Sequence, residues 1–419
     1  MNSRRLIWII TPVMILLLAA CSAAFNSPEI NISGPTPSSN DQVVVPDEVI
    51  PAEVTPEHLG EECEDPFDGT LPAFRTDGWK TNFCLHSVDY NDIFSGGPPR
   101  DGIPPLDSPR FEPVTSADQW IEDLEPVILL DHEGEVRAYP LQILTWHEIV
   151  NDEIAGDPIA VTFCPLCNTA LVFLRPTINS EILTFGTSGN LRYSDLVMWD
   201  RQTESWWQQF TGEAIVGDLT GTKLESLPAA IISWVDFKTK YPDAQVLSIE
   251  TGFQRSYGRN PYAGYDNVNS QPFAFVGDLD AQLPAMARVV GISLEDGQGG
   301  AFSLDLLQEN QVLNEIVGDR PVVLFWKSGT ASALDSGSIA DGRDIGTTGV
   351  FSAQVDDQNL TFTGLEDGLF LDQETGSTWD IFGDAIDGPL AGISLDPLPH
   401  HDTFWFAWAA FVPDGELKE

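Results

Sequence analysis

Basic side chains are scarce in this chain: 20 Lys and Arg stand against 64 Asp and Glu, a formal net charge of −44. Such a surface repels phosphate backbones and anionic lipid headgroups, so nucleic-acid binding and electrostatic attachment to a membrane are excluded as defaults. Cysteine is also rare, with five in 419 residues. That is too few for a disulfide-built scaffold and few enough that each one needs an account. After the first twenty residues no apolar run reaches the length of a membrane span. No G-x-S-x-G surrounds Ser188, and the glycine-rich stretch around it carries no Walker pattern, so serine hydrolysis and nucleotide binding gain no support. Apolar material is plentiful, at 42% with 12 Trp. It suffices for two domains of ordinary size, or for one domain and its duplicate.

The N-terminus reads as a leader. Arg4 and Arg5 precede an apolar segment from Leu6 to Leu18, and Leu18-Ala19-Ala20-Cys21 follows. A charged start, a short apolar stretch and small residues at the end make a secretory signal over residues 1–20. The last four residues resemble a bacterial lipobox, which implies acylation of Cys21 and a lipid-anchored, extracytoplasmic protein. Residues 21–60, rich in Pro, Ser, Asn and acids, are expected to form a disordered tether. Residues 61–113 remain loop-rich and carry Cys63 and Cys84, which an oxidising compartment would join as a disulfide.

Two cysteines remain. Ile159 to Phe173 reads IAVTFCPLCNTALVF: a strand-like alternation, then Cys164-Pro165-Leu166-Cys167-Asn168, then a second apolar run. The residues after Cys167 lack a helical period, so the pair sits on a strand–turn–strand knuckle rather than at a helix N-terminus. Proline presets φ in the turn and Asn168 tolerates a left-handed conformation. Three readings stay open: a soft-metal site for copper or zinc, a thiol–disulfide redox pair, and an inert structural disulfide. His147, on the apolar side of a helix opened by Pro140, is the candidate third metal ligand.

An internal repeat sharpens the choice. Ala138 to Phe163 echoes Ala301 to Phe325, and Asp200, Thr203, Ser205 and Trp207 recur as Asp372, Thr375, Ser377 and Trp379. Two related units are expected, over residues 114–280 and 281–419, packed about a pseudo-twofold axis. Features held by both copies serve folding; features of one copy are where function is sought. On this alignment Cys164 and Cys167 face Trp326 and Gly329, and His147 faces Asn310. The first copy also has about five extra residues within Gly186–Ser194. That loop, with Gly186, Ser188, Gly189, Asn190 and Arg192, is a candidate ligand cradle through its backbone N–H groups. His400-His401, in the second copy, is expected to be an exposed pair.

The block from Ala138 to Trp207, with Phe163 to Ala170, Gly186 to Ser194 and Asp195 to Arg201, resembles a family known as domain of unknown function 3179. The closing Phe404 to Trp408 resembles its end. The resemblance covers about residues 114–417 and implies no activity. The expectation is an α+β fold made of a tandem duplication, with a thiolate site in its first copy. That site binds a soft metal through Cys164, Cys167 and His147. The alternatives are a thiol–disulfide oxidoreductase, with Cys164 and Cys167 catalytic, and a non-enzymatic ligand-binding module.

Overall fold

Residue 63, residues 65–294 and residues 299–419 are described by the structure, a computed structural model. The leader, Cys21 and the tether through residue 60 lie outside the described residues. Sheet dominates. Among the described residues each helix is at most seven residues long, so the α+β expectation gives helix too large a share there.

The first half begins as a hairpin, Pro126–His132 against Glu135–Pro140. Its turn needs left-handed backbone at Glu133 and Gly134, where φ is +51° and +79°. Pro140 then caps the helix Leu141–His147 with its φ already fixed at −62°. The helix stops where Glu148 turns to φ +59°, and the chain leaves as the strand Ile149–Ile154. That strand, Asp157–Cys164 and Thr169–Leu174 form consecutive antiparallel pairs. An antiparallel meander follows through Phe185–Arg192, Asp195–Asp200, Trp206–Gln208 and Glu213–Val216. Ala230–Ser233 finally returns to pair with the opening strand, and Gln245–Leu247 runs parallel to Glu135–Pro140.

The second half follows the same route. Arg288–Ser293 pairs with Gly299–Ser303, a helix spans Leu304–Asn310, and His401–Phe404 returns to the opening strand. Local hydrogen bonds recur too. The indole N–H groups of Trp207 and Trp379 each donate to an aspartate, Asp200 and Asp372, at 2.9 Å. Asn151 and Asn314 each bridge the backbone of a phenylalanine, Phe185 and Phe362. The pairing registers revise one equivalence. Ile149 lies opposite Thr162 and Val312 opposite Phe325, at a constant spacing, so the place of Cys164 is taken by Lys327 and not by Trp326. The short turn bearing Cys167 is replaced by the long connection from Lys327 to Thr347.

The largest core spans both halves and takes in Cys164 and Cys167 together with Phe404 to Trp408. The strand His401–Phe404 also holds the knuckle by its backbone. Thr403 Oγ1 and Phe404 N donate to the Cys167 carbonyl at 2.9 and 3.1 Å, and Asn168 Nδ2 donates to the Asp402 carbonyl at 3.1 Å.

In the extension, Cys63 and Cys84 are disulfide-bonded. Ile93–Ser95 adds to the edge of Phe185–Arg192, which means that the expected Gly186–Ser194 loop is mostly strand, with a bulge between Thr187 and Asn190. Its glycines answer to the extension. A Cβ on Gly186 would lie 2.2 Å from Asp101 Oδ1, and one on Gly189 would lie 2.1 Å from the Pro98 carbonyl oxygen.

Candidate functional site

Cys164 ends its strand, Pro165 and Leu166 turn the chain, and Asn168 takes φ +57°, so both thiols project from one side of the turn. Both thiols are free and buried. The third group is Asp195, the first residue of the strand Asp195–Asp200. Ligand atoms of Cys164, Cys167 and Asp195 all lie within 4.8 Å of one another. The Cys167 thiol donates to Asp195 Oδ1 at 2.8 Å, while Asp195 Oδ2 accepts from Gln208 Nε2 at 2.5 Å and from Phe210 N at 3.0 Å. Those two donors fix the carboxylate and leave one oxygen facing the sulfurs.

Glu148 is the fourth acid. It sits at the helix–strand junction, buried, and its carboxyl meets the Tyr262 hydroxyl. Burial and then the charge of Asp195 push Glu148 up to about 8. Burial likewise pushes Asp195 up to about 6, against its hydrogen bonds, and raises both thiols above the usual cysteine range. The leading charges acting on these groups are one another's, and no described residue forms a salt bridge with Asp195 or Glu148. Four acids gathered out of water either keep their protons or hold a cation.

A cleft of about 510 Å³ reaches Glu148, and through Leu166 and Leu196 it borders residues next to Cys167 and Asp195, which do not line it themselves. Glu148, Leu166, Leu196, Tyr262 and Tyr265 form the wall nearest the site. Gly189 and Asn190 of the expected cradle also line it. The rest of the cradle is engaged elsewhere. The Ser188 hydroxyl donates to the Val197 carbonyl, Gly186 packs on Asp101, and the Arg192 guanidinium lies 4.4 Å from the centre of the Tyr193 ring.

His147 does not complete the group. Its Nδ1 faces the Pro104 carbonyl and its Nε2 the Tyr257 hydroxyl, both at 2.7 Å, so both ring nitrogens are already satisfied. The third group brought to the two thiols is Asp195. Sequence reasoning missed Asp195 and Glu148, although the comparison between copies held a signal. Glu148 faces Gln311, an amide with the same backbone turn at φ +64°. The turn therefore belongs to both halves and the carboxyl only to the first.

A family model described as protein of unknown function (DUF3179) matches residues 100–415. No curated protein and no solved structure matches the chain.

Proposed function

Since the chain belongs to the DUF3179 family, whose description carries no activity, the function must come from the site, and we propose that Cys164, Cys167 and Asp195 bind one metal ion. The carrying observation is the buried convergence of two thiols and two carboxyls with no basic partner among the described residues. A divalent cation would invert the local acidity, because coordination holds thiolates that burial alone forbids. Two sulfurs and a carboxylate oxygen suit Zn(II) better than Cu(I), which prefers soft donors throughout. Three protein ligands leave a tetrahedral ion one open position, as in reactive rather than purely structural zinc sites, and Glu148 stands where it can exchange a proton with whatever enters from the cleft.

The recurring strand route and the paired Asp–Trp and Asn–Phe bonds support a duplication in which the second half became a brace for the first. The leader and Cys21 support a lipid-tethered, extracytoplasmic location. Replacing Cys21 by Ser should move the protein from the membrane fraction to the soluble one.

The test is elemental analysis of protein purified without chelators. One zinc per chain is expected, lost in both Cys164→Ser/Cys167→Ser and Asp195→Asn while circular dichroism stays that of the wild type. A second reading, thiol–disulfide exchange, draws on the Cys167–Asp195 contact, which supplies a base beside a thiol. Two thiols would pass two electrons and two protons to a partner disulfide. Against it stand the raised thiols, since the attacking species is the thiolate. Metal-free protein whose two thiols cycle reversibly with a mild disulfide reagent would favour that reading over zinc.

A further inference from the structure

A second cleft, of about 770 Å³, opens between the two halves, away from the thiols. Its lining is unusual for a protein of net charge −44: Lys223, Arg320, His400 and His401 all border it, with Glu225 the one acid among its described lining residues. Neither Lys223 nor Arg320 forms an ion pair with a described residue, although many other cations of this chain do. The two histidines are buried rather than exposed, at 6% and 7% of full exposure.

Among the described residues His400 Nε2 and His401 Nδ1 have no hydrogen-bond partner, and both atoms are closed off from solvent. His400 Nε2 has only the Asp402 carboxylate nearby, at 3.7 Å, beyond hydrogen-bond reach. Buried polar atoms left unpaired cost about 1–3 kcal/mol each, so a fold that keeps them calls for an explanation. Phe411, partly exposed, gives the cleft an aromatic floor, while Phe210 is only 2% exposed. The His401 ring stacks on Phe210 at 4.5 Å between centroids, and Phe210 stacks on Phe411 at 4.7 Å.

We propose that this cleft binds a small organic carboxylate, its charged end held by Lys223 and the imidazole of His401 and its apolar part laid on Phe411. An inorganic anion would use the cationic rim but not the floor, and a neutral aromatic would use the floor but leave the rim unpaired. The carboxylate with an apolar body uses both. The lining includes none of the three proposed ligands, although Phe210 N donates to Asp195, and the side chains that would hold the carboxylate are not those assigned to zinc.

Benzoate is the probe, titrated into the intact chain by calorimetry, with benzamide and inorganic phosphate as controls. Benzoate should bind with a dissociation constant below about 1 mM. Benzamide and phosphate should bind at least about tenfold more weakly. Lys223→Met, at an exposed position, and His401→Phe, which keeps the stack, should each weaken benzoate about tenfold or more. Absence of benzoate binding, equal binding of phosphate or benzamide, or affinity unchanged in Lys223→Met would overturn the proposal. Because Lys223 is at the surface, its variant tests the site even if His401→Phe fails to fold.

Discussion

At the residue scale the site depends on where protons reside. Glu148 keeps its proton up to about pH 8 in the folded chain, whereas the unfolded carboxyl loses it near 4.5. The folded state therefore binds more protons across that window, and metal-free protein should lose stability as pH rises through it. The slope is about 1.4 kcal/mol per pH unit for one such group in mid-window. Urea midpoints measured from pH 5 to 7.5 should show the decline. Glu148→Gln should remove one group's share of it and leave that of Glu125, which burial also raises to about 8. Metal uptake, on the proposed reading, should have the opposite pH dependence, since an ion must displace the two thiol protons and, below about 6, that of Asp195. His147→Gln should leave the metal content unchanged, because that ring already serves Pro104 and Tyr257. The thiol pair and its turn were legible in the sequence, since Cys-Pro-Leu-Cys-Asn is local chemistry. Asp195 was not, being 28 residues from Cys167 and on a different sheet, so only the packing of the two sheets brings it there.

At the element scale, the strand His401–Phe404 holds the knuckle turn. Thr403→Val deletes the hydroxyl that donates to the Cys167 carbonyl and accepts from Thr169 at 3.0 Å. The loss should cost about 1–2 kcal/mol of stability. Zinc affinity should fall several-fold, as read by chelator competition, while the stoichiometry of one is retained. The hairpin Pro126–His132 with Glu135–Pro140 and the helix after Pro140 followed from turn chemistry and apolar spacing. The segment Gly186–Ser194 was harder. Gly, Ser and Asn depress strand propensity, and only the extension lying against Gly186 and Gly189 explains their presence in a strand. The one-residue shift in aligning the copies has a similar origin. Strand pairing fixes Cys164 opposite Thr169 and Lys327 opposite Thr347, a register invisible to residue matching.

For the whole molecule the dominant quantity is a charge of −44. Self-repulsion on that scale opposes compactness, and salt relieves it by shortening the Debye length from about 30 Å at 0.01 M to about 3 Å at 1 M. Scanning calorimetry should therefore give a melting temperature that climbs with sodium chloride over this range. A constant or falling value would mean that the surface ion pairs outweigh the repulsion. The family match from residue 100 to residue 415 embraces both halves, as expected if neither serves without the other.

The Cys167 carbonyl takes its hydroxyl donor from Thr403, 236 positions further along the chain. During synthesis the nascent polypeptide would expose both thiols long before that donor has emerged. The knuckle is consequently among the last parts of the molecule to become rigid. Any ion or oxidant reaching it earlier meets a loose dithiol instead of a finished cage.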